Sequence, residues 1–312
     1  MKANKLIAAS AVALLTVACA TNPLTGRKSL NFVSNSQILP LSFQQYTQVL
    51  SSSKLITGTA QARQVSEVGS RIKNAAEAYY KSIGQEAALN GYEWQFVLID
   101  DPKTINAWCM PGGKVAVYSG ILPVTKTDAG LAVVLGHEIA HALAGHGAEK
   151  ISQSYVSQVG GQLLSGVTSN QQLKGVINDY YPIASNITLL RYGRKQETDA
   201  DAMGLYIMSM AGYDPREAPL FWERMIKATE ASGGNNTPEF LSTHPNPENR
   251  IADLNKDMSK AMEYYNSSPY KNSSVKSYSE TKNTSTSKSS NATNNKGSNK
   301  TNQKQNKAYM YK

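Results

Sequence analysis

Cysteine is scarce in this sequence, with only Cys19 and Cys109 among 312 residues. Two cysteines exclude a framework of several disulfides, so the fold must rest on an apolar core. The hydrophobic residues make up 40% of the chain, which is enough to build one. Cys109 has no free base to activate it, because the histidines have a better use described below. We therefore interpret Cys109 as a small packed residue and not as a nucleophile.

Long apolar runs are also missing. The run from Leu6 to Val17 is too short to cross a bilayer comfortably, and it follows the positive charges of Lys2 and Lys5. This order of charge, apolar run and small residues is typical of a secretory leader. The alternative is a buried N-terminal helix of a cytosolic protein.

The small residues before Cys19 resemble a bacterial lipoprotein processing site, although Thr16 stands where leucine is usual. The resemblance implies that residues 1–18 are a signal peptide and that Cys19 becomes the lipid-bearing first residue, followed by a polar spacer over 19–35. Ala20 after the cysteine resembles lipoproteins sorted to an outer membrane. We therefore expect a periplasmic protein of the bacterial envelope, anchored to a membrane through its lipid.

The formal charge of +9 is unevenly distributed. Residues 260–312 contain ten Lys and two Glu, and the leader holds two further Lys, so the body between them has a net charge of −1. The basic segment 260–312 is rich in Asn, Ser and Thr with almost no apolar residue, which predicts a disordered tail. A solvated tail and a tail that binds an anionic polymer both remain open. No nucleic-acid motif is present, so we expect no nucleic-acid partner.

Periodicity in the body, 36–259, predicts an α+β fold: a mostly helical catalytic domain with a small β-sheet. Asp128 is a candidate cap for the helix that carries the histidines. The stretch 148–187 has no clear pattern. The patterns predict helices at 36–50, 59–83, 128–144, 194–212 and 215–230 and from 247, with strands at 94–101 and 114–118.

Three of the four histidines lie within "LGHEIAHALAGH", residues 135–146. Residues four apart on a helix share one face, so His137 and His141 can bind one metal ion from successive turns. Glu138 lies beside them and can act as a general base towards a water that the metal activates. This HExxH pattern favours a catalytic metal site over an ordinary polar stripe.

A catalytic zinc usually takes three protein ligands. A HExxHxxGxxH site would need Gly at 144 and His at 147, but the chain has Ala144 and Gly147 there, with His146 one place early. The other common solution is a glutamate from a second helix. Glu197 in "QETDAD" suits that role, and Asp201, one turn further, can hold the N–H of a ligand histidine.

The segments "HEIAHALAGH", "RKQETDADAMGLYIMSMAGYDP", "FWERM" and "STHPNPENRI" resemble, in this order, metallopeptidase family forty-eight, the prenyl-protein-protease-like zinc endopeptidases. The similarity is greatest to the bacterial periplasmic lipoprotein branch related to the mitochondrial Oma-type protease. It implies a gluzincin fold with one zinc ion per chain and cleavage of misfolded or unassembled envelope proteins. It also implies that His137, His141 and Glu197 bind zinc and that Glu138 is the base.

Three further residues have open roles. His244, with Arg250 six residues on, is the best candidate to stabilise the oxyanion, but His244 could instead fill the fourth metal position as a latch, or be structural. Because His146 comes five residues after His141, it should point away from the ligand face, which favours a supporting or helix-end role over metal binding.

The strand at 113–118 is a candidate to hold substrate by strand addition at a free edge, as the family favours. The alternative is an interior strand without such an edge.

Two rival functions remain: an envelope chaperone with a structural zinc site and little proteolysis, and a surface lipoprotein whose basic tail binds an anionic polymer. A structural site needs no base and closes all four metal positions, so Glu138 argues against the chaperone.

Overall fold

The computed structural model describes residues 19–163, 175, 192–231, 238–244 and 247–271. The predicted leader, most of the predicted tail and most of the unassigned stretch after residue 163 lie outside these residues. Within them the chain is mostly helical with two small sheets, which confirms the α+β class. The helices are α1 (Asn35–Ser51), α2 (Ala60–Ser82), α3 (Leu122–Thr125), α4 (Asp128–Leu143), α5 (His146–Leu163), α6 (Arg194–Met210), α7 (Glu217–Ala231), α8 (Glu239–Thr243) and α9 (Pro247–Ser267). The strands are β1 (Cys19–Thr21), β2 (Lys28–Leu30), β3 (Leu55–Ile56), β4 (Gln95–Ile99), β5 (Ala107–Met110) and β6 (Lys114–Tyr118).

The larger sheet has the strand order β3-β4-β6-β5. β6 pairs with β4 in parallel and with β5 antiparallel, so it is an interior strand. The expectation of a free edge at 113–118 is therefore wrong. On that side of the sheet the edge strand is β5, which the sequence did not reveal because its four residues are all buried and show no alternation.

Helix α4 is the centre of the domain. Every residue from Asp128 to Ala142 is buried, as expected of a helix surrounded by other elements. Thr127, not Asp128, is the N-cap, and its hydroxyl accepts a hydrogen bond from the amide of Gly130. Asp128 instead accepts a hydrogen bond of 2.7 Å from the side-chain amide of Gln64 on α2.

The two helices that carry HExxH and Glu197 meet at two glycines. A Cβ on Gly136 of α4 would lie 2.9 Å from the carbonyl oxygen of Gly204, and a Cβ on Gly204 of α6 would lie 2.7 Å from the amide nitrogen of His137. These distances leave no room for a side chain. The backbones of α4 and α6 can therefore approach closely beside the first histidine.

The two ends of the described chain belong to this domain, which differs from the predicted boundaries. β1 and β2 form an antiparallel ribbon within the predicted spacer, and Leu24 between them is buried in the main core. At the other end α9 continues past Lys260, because Ala261 is fully buried and Tyr264 packs against Tyr206. Composition alone placed the start of the tail inside an amphipathic helix.

Candidate metal centre

Two imidazoles on α4 face one point. Nε2 of His137 lies 3.0 Å from Nε2 of His141, and both side chains are buried. This closeness follows from the four-residue spacing, which places the two rings on successive turns of one helix face.

Two other segments complete the cluster. Glu197 lies in the first turn of α6, and His244 directly follows α8. Oε1 of Glu197 is 3.1 Å from Nδ1 of His244 and 3.5 Å from Nε2 of His141. Nε2 of His137 is 3.2 Å from the same His244 nitrogen and 3.5 Å from Oε2 of Glu197. One donor atom from each of the four buried residues lies within 4.8 Å of all the others.

The donor set fits a bound metal ion. Ligand atoms held tetrahedrally about 2.0–2.1 Å from zinc are about 3.3 Å from one another. The five separations given above run from 3.0 to 3.5 Å, and all four donor atoms lie within 4.8 Å of one another. Imidazole nitrogen and carboxylate oxygen together suit zinc and its neighbours in the first transition row better than Mg²⁺ or Ca²⁺.

His137 is oriented by a carboxylate. Its Nδ1 lies 2.9 Å from Oδ1 of Asp201, one turn beyond Glu197 on α6. A proton on Nδ1 leaves the lone pair of Nε2 directed into the cluster. Arg250 of α9 binds both acids at once: its Nε donates to Asp201 and its Nη2 donates over 2.7 Å to Oε2 of Glu197. The guanidinium stacks 4.0 Å above the ring of Trp222, so its position is fixed on three sides.

Glu138 is buried beside the cluster. Its Oε1 lies 3.2 Å from Nε2 of His244, close enough for an ion pair, but the atom has no hydrogen bond of good geometry. A buried carboxylate oxygen without a hydrogen bond is costly and needs an explanation, of which a catalytic role or a neighbouring ion is one. The arrangement leaves a proton acceptor beside the four candidate ligands.

The family model described as Peptidase family M48 matches residues 62–258, which include all four candidate ligands and Glu138. The match covers well over half of the chain.

The chain belongs to peptidase family M48.

Curated relatives agree with the M48 assignment. The mitochondrial metalloendopeptidase OMA1 of Saccharomyces cerevisiae is 38% identical over 196 residues, which are 62% of this chain and 55% of that protein. The OMA1 metalloendopeptidase of Homo sapiens is 28% identical over 252 residues, 77% of this chain and 46% of that protein. The putative beta-barrel assembly-enhancing protease of Vibrio cholerae is 33% identical over 165 residues, 51% and 33% of the two chains. The resemblance found in the sequence is thereby confirmed.

The M48 chain spans about half the length of the curated relatives it matches, or less. Across the part of the chain that the structure describes, no helix has both the length and the apolar character required of a membrane span.

The electrostatics of His141 and Glu197 in this M48 cluster favour metal binding. Burial and the neighbouring His137 hold the pKa of His141 well below its usual value, so its imidazole is neutral, as a metal ligand must be. Burial would raise the pKa of Glu197, but the charge of His244 and hydrogen bonds from His137 and His244 outweigh it and hold that pKa well below its usual value. Glu197 is therefore a carboxylate at neutral pH.

His244 behaves in the opposite way. Burial would lower its pKa, but the carboxylates of Glu138 and Glu197 outweigh that effect and raise the pKa to about 9. In the absence of metal, His244 is thus an imidazolium between two carboxylates.

His146 lies closer to the cluster than the sequence suggested. α4 ends at Leu143, and Gly145 with φ of +67° reverses the chain so that His146 begins α5. Its Nδ1 lies 2.9 Å from Nδ1 of His141, but it is not one of the four candidate ligands. A continuous helix would have pointed it away, and the glycine turn brings it back.

The sequence reasoning missed two residues of the site. Tyr192 stacks on His141 with 3.8 Å between ring centres and 18° between the ring planes. Asp199 binds Nε2 of His146 over 3.0 Å. The only sequence signal for Asp199 was its place as the middle acid in "ETDAD", and no spacing marked Tyr192.

We predict a pH dependence for the metal-free M48 protein. An unfolded histidine has a pKa near 6.5, so a folded pKa of about 9 means that the ion pairs of His244 stabilise fully below about pH 6.5. This stability should disappear as the pH rises through about 9. We expect chelator-treated protein to lose on the order of 3 kcal/mol of unfolding free energy over this interval, measured by urea unfolding at a series of pH values.

The matched control is His244→Gln, which keeps a polar side chain that cannot become charged. This variant should start less stable at low pH and show a flatter profile. Parallel profiles for the two proteins would contradict the assignment.

Proposed function

We propose that this chain is a zinc-dependent endopeptidase that cleaves misfolded or unassembled proteins of the bacterial envelope. One observation carries the proposal: the carboxylate of Glu138 is buried next to a cluster in which His137, His141 and Glu197 offer donors to one ion. Three protein ligands and a neighbouring base are the components of a catalytic zinc site. Family membership and the metalloendopeptidase names of the OMA1 relatives support the same reaction class.

A zinc ion bound by His137, His141 and Glu197 would polarise the scissile carbonyl and acidify a water molecule. Glu138 is positioned to take the proton of the attacking water and to deliver it to the leaving amine nitrogen. Asp201 and Arg250 hold His137 and Glu197 in place during this exchange. All N–H groups of Arg250 that contact the site are already bound to protein, so Arg250 acts as a holder of ligands.

We further propose that His244 is a latch in the resting enzyme. Its Nδ1 lies among the ligand atoms and its Nε2 lies 3.2 Å from Glu138, so one imidazole contacts both the fourth metal position and the base. A substrate carbonyl at the metal and a water beside Glu138 would need these two places. His244 therefore has to leave before cleavage, and it directly precedes the segment that joins α8 to α9.

The edge strand β5 is the proposed docking place for substrate. The backbone carbonyl of Asn106 accepts a hydrogen bond from the amide of Tyr118 in β6, so antiparallel alternation directs the backbone groups of Ala107 and Cys109 to the outer edge. The amide of Ala107 donates there to the side chain of Asn106, which leaves the carbonyl of Ala107 and the backbone groups of Cys109 for a peptide. Among the described strands none pairs with that edge. An extended peptide added there would be bound through its backbone, with little sequence preference. Such binding suits unfolded substrates.

Location in the envelope rests on the leader and on the relatives. Residues 1–18 have the pattern of a signal peptide, and Cys19 has the position of a lipidated cysteine. The bacterial relatives named beta-barrel assembly-enhancing proteases, from Vibrio cholerae and Yersinia pestis, fit an envelope role. We propose a lipoprotein attached to a membrane from the periplasmic side, with an outer membrane favoured by Ala20.

A chaperone with a structural zinc site is the alternative, and one observation favours it. The cluster offers four protein donors, and a structural zinc site is closed by four ligands. The two readings differ in the role of Glu138, which a structural site does not need.

The first test is Glu138→Gln, which keeps the size of the side chain and removes the base. We expect the purified protein to cleave casein and the variant to lose at least about 100-fold in rate, because general-base catalysis is worth that much. Zinc content, measured in both proteins, should stay near one per chain. Zinc in both with equal cleavage would refute the role of Glu138.

The second test is His244→Ala, which removes the latch. We expect cleavage of casein to rise several-fold, while three ligands retain the zinc. The comparison variant is His146→Ala, which also removes a neighbouring buried histidine but none of the four donors, and which should not raise the rate. A lower rate with zinc retained would make His244 an oxyanion stabiliser, and loss of zinc would favour the structural site of the chaperone.

The third test addresses the membrane. When residues 1–312 are expressed in a Gram-negative host, the protein should appear in the membrane fraction and incorporate labelled palmitate. Cys19→Ser should abolish both, because a single thiol is the acceptor of the lipid. The control is Cys109→Ser, whose buried thiol should not matter for labelling. Labelling that survives Cys19→Ser would contradict the anchor.

A further inference from the structure

The two ligand histidines of α4 are supported in different ways. His137 contacts the carboxylate of Asp201 directly. His141 contacts His146 instead, with 2.9 Å between their Nδ1 atoms, and His146 in turn lies 3.0 Å from Oδ2 of Asp199. A carboxylate therefore supports each ligand histidine. Asp201 contacts His137 directly, whereas Asp199 reaches His141 through the imidazole of His146.

The hydrogens of this chain can be assigned in one consistent way. If Nε2 of His141 faces the metal with its lone pair, Nδ1 of His141 carries the proton and donates to Nδ1 of His146. His146 then carries its own proton on Nε2 and donates to Asp199. Each contact has one donor and one acceptor, with both imidazoles neutral and the carboxylate charged.

Asp199 is held by residues near the start of the described chain. Nδ2 of Asn22 donates over 3.0 Å to Oδ2, the hydroxyl of Thr25 donates to Oδ1, and a guanidinium nitrogen of Arg27 lies 3.8 Å from Oδ2. All three belong to the turn between β1 and β2. The side chain of Asp199 is only 1% exposed, so these contacts replace water as its partners.

The turn is also held by hydrogen bonds that do not involve Asp199. The side-chain oxygen of Asn22 accepts the amide of Leu24, and its backbone oxygen accepts the amide of Gly26, whose φ of +75° favours glycine. Arg27 forms two hydrogen bonds of 3.0 and 2.6 Å with the buried carboxylate of Glu149 on α5. A preformed turn can hold a partner in place at little further cost in entropy.

We infer that Asp199 and His146 position the metal ligand His141, and that the turn Asn22–Arg27 holds Asp199 for this task. The segment just after Cys19 is then part of the metal centre and not a spacer. This inference rests on the metal site proposed above but does not depend on proteolysis. Neither Asp199 nor the turn touches the ion, so their action passes through His146.

The decisive experiment compares Asp199→Asn with a matched control, Asp257→Asn, in the full chain. Both carboxylates line the same groove of about 1030 Å³, but Asp257 accepts a hydrogen bond from the hydroxyl of Tyr206 and has no contact with the cluster. Zinc affinity is measured by competition with a chromogenic chelator. We expect Asp199→Asn to weaken zinc binding about 10-fold or more, as loss of such partners usually does, and Asp257→Asn to leave it unchanged.

Thermal unfolding of the metal-free proteins distinguishes a role of Asp199 in positioning His141 from a role in fold stability alone. If Asp199 only stabilises the fold, the metal-free variant should melt earlier than the native protein while the zinc affinity of the folded protein stays unchanged. That result would overturn the inference. The Co²⁺-loaded proteins add a spectroscopic readout, because a displaced His141 should change the visible absorption bands and a loss of stability alone should not.

The turn is tested by a milder variant, Thr25→Val, which removes the hydroxyl but keeps the shape. We expect about a five-fold loss of zinc affinity, the value of one hydrogen bond, in the native background. In the Asp199→Asn background the same change should cost almost nothing, since the two residues act through one path. Equal losses in both backgrounds would exclude the turn from the path.

Failure of this inference and failure of the proposed function can be told apart. If the native chain bound no zinc at all, the proposed function would fail. If it bound zinc and Asp199→Asn left that binding unchanged, only this inference would be overturned.

Discussion

The close contact of α4 and α6 is the constraint on which the site depends. Gly136 and Gly204 let the two backbones meet beside His137, and a Cβ at either position would overlap the other helix. Side chains from the two helices then reach one point: His137 and His141 from α4, Glu197 from α6. Larger residues at this contact would move the two helices apart and would take Glu197 away from the histidines.

This packing forces several acidic groups into the interior, and their charge has to be balanced. Glu138, Glu197 and Asp201 are all buried, and Arg250 forms ion pairs with Glu197 and Asp201. In the absence of metal the proton on His244 supplies further positive charge, which explains its raised pKa. A divalent ion bound by these residues would supply the same charge, so the ion and the proton on His244 would compete. The same buried carboxylates would then link the proposed latch to the metal.

The sequence allowed the inner part of the site to be predicted because that part depends on helix periodicity. HExxH places two imidazoles on one face, and Glu197 with Asp201 repeats the same four-residue spacing. The neighbours that depend on chain reversals could not be found in this way. His146 comes to His141 only because Gly145 adopts a left-handed conformation, and the contact between Asn22 and Asp199 joins residues 177 positions apart.

The same limit applies to the fold. The long helices were predicted from their apolar faces, whereas β5 has four buried residues and no alternation to mark it. The end of α9 was misplaced because Lys and Asn on its exposed side resemble the composition of the tail. The exposed side of a C-terminal helix and a disordered segment can have the same composition. Only the packing of Ala261 and Tyr264 shows that the residues after 260 still belong to α9. The metal site therefore draws on almost the whole length of the domain: the turn after β1, α4, α6, and Arg250 of α9. Because its donors are brought together only when all these elements have docked, zinc binding would stabilise the complete fold and not any part of it.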